Sequence, residues 1–285
     1  MSETRWFLTG GGGQLADALQ ELLAGDVFVA REEALDLRDA VAVATAVRAY
    51  RPDLVLHTAA YTDVDGAERD EAAAYAVNAL GTRHLVEALR GTHTQLVSFS
   101  TDYVFDGRKG APYVEHDEPA PLNAYGRTKL AQERETLAWV HGTVIRTAWL
   151  FSATSRNFVT TILAAARERA AAGSSEPLRV VDDQTGSPTY AGHLAATVVE
   201  ALQGGLGPGL YHMAGGGACS WCELAREEVA LAGLAVEVEP ISTAEAGRPA
   251  PRPAYSALTS ERAIPQPPCW QDGVAAVIDE LLETP

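Results

Sequence analysis

The sequence predicts an α/β fold, a doubly wound parallel sheet with a smaller C-terminal lobe, and three observations predict it. Short apolar strands alternate with amphipathic helices over residues 1–150, the pattern of right-handed βαβ crossovers. The first strand stops at four consecutive glycines and a helix follows. Residue types suited to chemistry fall at strand carboxyl ends, where such sheets bind their ligands.

Trp6-Phe7-Leu8-Thr9 reads as the first strand, ending at Gly10-Gly11-Gly12-Gly13. Beyond it Leu15, Ala18, Leu19, Leu22 and Leu23 recur at helical spacing. Glycines there let the backbone approach a pyrophosphate, and the helix start offers N–H groups and a positive dipole end. A flexible turn would use the same residues, but the strand–glycine–helix order favours a dinucleotide. The spacing is Gly10-x-x-Gly13-x-x-Ala16, and Ala16 is small enough for close helix–strand packing. Val27-Phe28-Val29-Ala30 is the second strand. It ends at Arg31, which suits a 2′-phosphate and leans toward NADPH, while Glu32 and Glu33 beside it keep NADH open.

A helix over 39–50 leads to the third strand, Leu54-Val55-Leu56-His57, and Thr58-Ala59-Ala60-Tyr61 then supplies small residues where a cofactor could lie. An alanine-rich helix over 71–90 precedes the fourth strand, Leu96-Val97-Ser98-Phe99-Ser100, with Thr101 next. A helix over 125–141 precedes a fifth strand, Val144-Ile145-Arg146, and then Thr147-Ala148-Trp149. A helix over 157–172, a short strand at Val180-Val181 and a polar turn over 182–189 follow. The remainder reads as helix, strand (209–213), helix (221–232), strand (236–239) and a Pro/Arg stretch, Arg248-Pro249-Ala250-Pro251-Arg252-Pro253. Residues 1–150 therefore form a Rossmann-type dinucleotide-binding domain to which a segment of about 178–215 returns, and 151–285 mostly form an α/β substrate lobe. No internal repeat or long linker separates the two.

The net charge of −16 argues against nucleic acid or an anionic membrane as a partner, though not against a small anion met by local arginines. No apolar run approaches the roughly 18 residues of a membrane span. Met1 to Arg5 run into a strand with no basic-then-apolar leader, so a cytoplasmic location is the expectation. Three cysteines do not make a disulfide framework. Cys219-Ser220-Trp221-Cys222 spells C-x-x-C, but zinc would need a second pair and Cys269 stands alone, so packed thiols are the expectation and no metal ligand is assigned.

The chemistry centres on Thr101, Tyr125 and Lys129. In a helix, Tyr125 and Lys129 lie one turn apart on one face. An ammonium beside a phenol favours phenolate, which suits proton transfer to a carbonyl oxygen. A surface i,i+4 pair is the bland alternative. Lys109 and Lys129 are the only lysines among 22 basic residues, so a retained Lys suggests a site that wants a compact ammonium. The Pro/Arg stretch is either a solvated rigid loop or a stiff presenter of Arg248 and Arg252 to a phosphate.

Taken together the motifs resemble the extended branch of the short-chain dehydrogenase/reductases, and more narrowly the dTDP-4-dehydrorhamnose reductase family of deoxysugar 4-ketoreductases. The matching segments are GGGGQL (10–15), AAYTDVDGAE (59–68), STDYVFDG (100–107), PLNAYGRTK (121–129), RTAWL (146–150), Asn157-Phe158, DQTGSPT (183–189), GLYHMAG (209–215) and RPAPRPAYSAL (248–258). They span nearly the whole chain in the family's order. The resemblance implies NADPH or NADH with Gly10, Gly13, Gln14 and Leu15 at the pyrophosphate and Asp36 and Leu37 near the adenine. Ala59, Ala60, Tyr125 and Lys129 would lie along the ribose and nicotinamide, with Tyr61 and Asn78 in the same set. Thr101, Tyr125 and Lys129 take the catalytic places, with Lys129 lowering the phenol's pKa. Thr101, Val64, Asp102, Tyr103, Trp149 and Asn157 match positions at the sugar, and Arg248 and Arg252 the lobe that holds the nucleotide diphosphate.

The implied reaction is reduction of the C4 ketone of a dTDP-4-keto-6-deoxyhexose, yielding dTDP-rhamnose or a deoxysugar of secondary metabolism such as antibiotic biosynthesis. An epimerase, a dehydratase and a non-catalytic regulatory subunit share the fold. A dehydratase needs a second acid after the strand-end Asp, and Tyr103 stands there instead. His57-Thr58 replace the family's usual Asn-Ala, and Ala16 replaces a Gly. The resemblance also carries a homodimer bridged by Mg2+, whose ligands the motifs do not identify.

Overall fold

The computed structural model describes residues 4–283. The first half runs β1 (Arg5–Thr9), α1 (Gln14–Leu22), β2 (Asp26–Ala30), α2 (Ala40–Tyr50), β3 (Leu54–His57), α3 (Val64–Arg69) and α4 (Glu71–Tyr75). A π-helical turn (Ala76–Leu80), α5 (Gly81–Leu89), β4 (Gln95–Thr101), a 3₁₀ turn (Asp102–Val104), α6 (Ala124–Leu137) and β5 (Gly142–Thr147) follow. The second half contains β6 (Leu150–Phe151), α7 (Phe158–Ala172), β7 (Leu178–Val181), β8 (Thr185–Gly186), β9 (Thr189–Tyr190), α8 (Ala191–Gln203) and β10 (Gly209–His212). It closes with β11 (Cys219–Ser220), α9 (Trp221–Leu231), β12 (Val238–Ile241), α10 (Thr243–Ala246) and α11 (Trp270–Glu283).

The main sheet is parallel, in the order β10-β5-β4-β3-β1-β2. Its strands alternate their side chains between two helical layers, as period-2 geometry requires. Leu8, Leu56 and Val97 meet Leu15 and Leu19 of α1 and Leu194 and Val198 of α8. Phe7, Val55 and Leu96 face the opposite way, onto Val43 and Val47 of α2 and Leu85 and Leu89 of α5. The chain leaves β1 toward β2 on one side and returns to β3 on the other. Thr9 and His57, paired across β1 and β3, therefore mark a topological switch point, where a crevice opens at the carboxyl edge.

A second core gathers α7, α9 and α11 through Val159, Leu163, Leu224, Val274 and Ile278. β7 pairs with β12 within this smaller lobe, so the chain rejoins the main sheet at α8 and β10 rather than from about residue 178. The helix expected over 71–90 is interrupted by the π turn, for a reason that lies at the site. The helix expected over 125–141 stops at Leu137, because Trp139 N–H bonds Thr136 and Gly142 N–H bonds Trp139, hooking the chain into β5. The short α3 and the C-terminal α11 are not among the elements expected above, although Trp270, Val274, Val277, Ile278 and Leu281 of α11 recur at helical spacing and pack in one core. Cys219 and Cys222 are buried free thiols and Cys269 is an exposed one. No helix among the described residues is long and apolar enough to cross a membrane.

Candidate active site

A cleft of about 840 Å³ opens along the carboxyl edge of the sheet, between the Rossmann body and the smaller lobe. One end is built from backbone. Gly10 has φ +78°, and a Cβ there would fall 2.7 Å from Ala59 N, so the turn after β1 admits no side chain. Gly13 caps α1 without a side-chain bond, leaving the first N–H groups of the helix pointing outward. That is an anion site by construction, and it fits a pyrophosphate. The Arg31 side chain lies against the same loop, its Nη1 3.2 Å from where a Gly12 Cβ would be. Leu15, Asp36, Leu37, Ala59, Ala60 and Tyr61 all line this half of the cleft. Glu32, Glu33 and Arg38 line it as well, and Arg38 forks onto Asp36 at 2.8–3.0 Å.

Asn78 departs from expectation. It is fully buried and is not among the residues that line the cleft. Its Oδ1 accepts from Tyr61 N at 2.8 Å, and its Nδ2 donates to Tyr61 O at 3.2 Å and to Thr128 Oγ1 at 2.9 Å. The π turn places Asn78 for this clamp, and Thr128 in turn donates to Tyr125 O at 2.8 Å. Asn78 therefore positions the cleft wall and α6.

The His57-Thr58 departure belongs to the same network. Thr82 Oγ1 spends its proton on Asn78 O at 2.7 Å, so it must accept from His57 Nε2–H at 2.8 Å. His57 Nδ1 then accepts from the Thr9 hydroxyl at 2.8 Å. Burial, helped by the nearby Lys129 charge, pushes the imidazole pKa down to about 3, which agrees with a neutral ring bonded at both nitrogens. Thr58 donates to Thr9 O at 2.6 Å and ties the ends of β1 and β3 together.

The chemical groups converge at the middle of the cleft. Thr101 ends β4, accepts from Tyr103 N at 3.2 Å and donates to Asp102 Oδ1 at 3.1 Å. Asn123 caps α6 through Gly126 N at 2.7 Å and so sets Tyr125 and Lys129 on the buried face of the helix. Gly126 itself is required: a Cβ there would lie 2.2 Å from Tyr103 O, so only glycine lets α6 pack on the 3₁₀ turn. Tyr103 and Tyr125 meet edge to face, 6.0 Å between centroids. Burial pushes the Tyr125 phenol up, the Thr101 hydroxyl draws it back, and the Asp102 charge pushes it up again. Burial also raises Asp102, to about 6, against hydrogen bonds from Ser256 (2.5 Å) and Thr101.

Lys129 is 3% exposed and burial pulls its pKa down to about 7, opposed by Glu133. Its Nζ donates to Phe99 O at 2.7 Å and to Gln132 Oε1. The expected lowering of the phenol by this ammonium is not what the structure holds. The amine is directed at a carbonyl and an amide, and desolvation dominates both groups.

Beyond them Val64, Asp102, Tyr103 and Trp149 line the cleft, as does Trp221, which the sequence places in a C-x-x-C run at the start of a helix without marking it for the site. Trp149 adopts φ +46°, a conformation costing about 1–3 kcal/mol for a bulky residue and kept only where the surroundings impose it. Two expected ligand contacts, Asn157 and Arg252, are committed elsewhere, and a third residue, Arg248, stands beside one of them. Asn157 caps α7 and bonds Ser152 O, Ser155 O and Gln14 Oε1. Arg252 forks onto Asp65 at 3.1 Å to each oxygen, and Arg248 stands 3.7 Å from the same carboxylate, so the Pro/Arg strap is latched to α3. Among the described residues, no group of three or more His, Cys, Asp or Glu side chains is disposed to hold a metal ion.

Residues 4–283 match the family described as RmlD substrate binding domain. A relative named dTDP-4-dehydrorhamnose reductase, from Mycobacterium tuberculosis (strain CDC 1551 / Oshkosh), is 41% identical over 268 residues, 90% of this chain and 86% of the relative. A relative named probable dTDP-4,6-dihydroxy-2-methyloxan-3-one 4-ketoreductase, from Streptomyces antibioticus, is 42% identical over 264 residues, 90% of this chain and 88% of the relative. The crystal structure of a dTDP-4-dehydrorhamnose reductase from Bacillus anthracis str. Ames in complex with NADP superposes with a TM-score of 0.91 at 36% identity, covering 98% of this chain and 100% of that one. The chain therefore belongs to the RmlD substrate binding domain family, among the oxidoreductases of the dTDP-4-dehydrorhamnose reductase type.

Proposed function

We propose that this chain reduces the C4 ketone of a dTDP-4-keto-6-deoxyhexose with NADPH, giving dTDP-rhamnose or a related deoxysugar. One observation carries the reading: Thr101, Tyr125 and Lys129 share a cleft whose other end is a glycine turn under an uncapped helix start. The bound dinucleotide would supply the hydride. Gly10 to Gly13 and the start of α1 hold its pyrophosphate, and Arg31 beside Gly12 takes the 2′-phosphate.

Tyr125 gives its proton to the C4 oxygen. Burial keeps the phenol in its acid form, which is the form a proton donor needs in the reductive direction. Thr101, its hydroxyl turned from Asp102 Oδ1, donates to the same oxygen. Lys129 would hold the nicotinamide ribose, and with a pKa near 7 its charge fades as pH rises above neutral. Of the two strap arginines, Arg252 is committed to Asp65, whereas the Arg248 side chain is 65% exposed and remains the cation for a diphosphate.

The test is consumption of NADPH, followed by absorbance, with a dTDP-4-keto-6-deoxyhexose, and NMR identification of the product. Stoichiometric oxidation of NADPH is expected. Sugar interconversion without net NADPH consumption would mean an epimerase instead.

A further inference from the structure

We infer that Trp221 is a positioning residue for the hexose: by stacking on Trp149 it fixes the wall against which the apolar C–H face of the sugar lies. This rests on the reductase reading above and deepens it. The two indoles are 3.5 Å apart at their centroids and 4° from parallel. Ring quadrupoles disfavour so unslipped a sandwich relative to offset or edge-on pairs, so both rings must be held from outside.

Trp221 is held by the smaller lobe. It opens α9 directly after Ser220, whose hydroxyl accepts from Glu223 N at 3.0 Å and donates to Asp182 Oδ1 at 2.5 Å. Its Nε1 donates to Gln184 Oε1 at 3.2 Å, and Gln184 Nε2 donates to Thr243 Oγ1 at 2.8 Å. Phe158 backs the ring at 4.5 Å. Trp149 comes from the other body, two residues past β5, with its backbone in the left-handed region. Gly186 makes room for the ring in this orientation, since a Cβ there would fall 2.3 Å from Trp149 Cε2. The Trp149 Nε1 is buried with no hydrogen-bond acceptor. The residue thus starts on the Rossmann body while its ring plane is dictated by the lobe.

Both indoles line the cleft, as does Asp102, next to the Thr101 hydroxyl. A flat hydrocarbon wall at that place suits the C–H face of a pyranose, and a 6-deoxyhexose in particular, whose C6 is a methyl. Turning the wall shifts the sugar and leaves the dinucleotide end untouched, because that end is backbone of the other body.

Three variants separate positioning from mere stability. Trp221→Leu removes the stack, Trp221→Phe keeps a ring, and Gly186→Ala keeps both tryptophans while displacing Trp149. With a dTDP-4-keto-6-deoxyhexose, Trp221→Leu and Gly186→Ala are expected to raise KM about 3- to 10-fold, the worth of an aromatic pair. kcat and NADPH affinity should stay within about twofold, and Trp221→Phe should fall nearer wild type. In wild type, the sugar nucleotide should change the indole circular-dichroism couplet and NADPH alone should not. Unchanged KM in folded Trp221→Leu and Gly186→Ala would overturn the inference, as would kcat, KM and NADPH affinity all worsening together. If Trp221→Leu does not fold, Gly186→Ala and Trp221→Phe decide by the same readouts. A wild type that turns over no ketosugar refutes the reductase reading itself, which is a separate failure.

Discussion

The Rossmann body and the smaller lobe meet at one cleft but build their halves of it by different means. The body offers a backbone cradle at the dinucleotide end and the Thr101, Tyr125 and Lys129 side chains at the middle, and it buries a matched ion pair. Glu133 and Arg146, with side chains 3% and 2% exposed, join through bonds of 2.8 and 2.7 Å, and Ser100 donates to the same carboxylate at 2.5 Å. His57 is bonded at both nitrogens. The lobe offers aromatic side chains, and it buries a lone carboxyl: Glu228 on α9 is 0% exposed with neither oxygen bonded. A site made of backbone is spoiled by any added side chain. A wall made of side chains can be recut by substitution.

The largest expected effect breaks the body's chemistry and spares its binding. Tyr125→Phe should lower kcat by about 10²–10⁴-fold, the usual worth of a positioned acid, with NADPH affinity retained in a fluorescence titration. Next comes the backbone itself. Gly10→Ala should weaken NADPH about tenfold or more, since a Cβ meets Ala59 N at 2.7 Å and φ +78° costs an L-residue about 1–2 kcal/mol. An equal loss of sugar affinity at saturating NADPH would blur the division between the two halves.

The smallest effect is on stability and belongs to the lobe. Burial raises the Glu228 pKa well above its ordinary value. A group whose folded pKa is raised contributes most below its unfolded value and loses that contribution as pH climbs through the folded one. Glu228→Leu should therefore raise Tm, and by more at pH 8 than at pH 5. A gain independent of pH would show that packing, not the unpaired carboxyl, sets the cost.

Much of the body was legible because its signals are local. Strand, glycine turn and helix follow one another within residues 5–22, and Tyr125 and Lys129 sit one turn apart in one helix. The need for Gly126 was not legible, since it depends on Tyr103 O, far along the chain. Nor was the direction of Lys129 Nζ, which is set by Phe99 O on β4. Asn78 could be singled out, but only the π turn and its bonds to Tyr61 and Thr128 reveal that it works behind the cleft. The aromatic wall was half-hidden for the same reason. Trp149 lies in a recognisable motif, whereas Trp221 and Gly186 reach it only through the packed lobe. Arg252, on a stiff Pro/Arg stretch, suits a phosphate by sequence, whereas the fold turns it onto Asp65.

The most direct test of whether one cleft joins a dinucleotide to a proton donor is isotopic. A dTDP-4-keto-6-deoxyhexose is incubated with NADPH deuterated at the transferable position of the nicotinamide, and the product is examined by NMR. Deuterium on C4 of the hexose, with the new hydroxyl proton drawn from solvent, is the expected result. Product carrying solvent hydrogen at C4, or no product while NADPH persists, would contradict it.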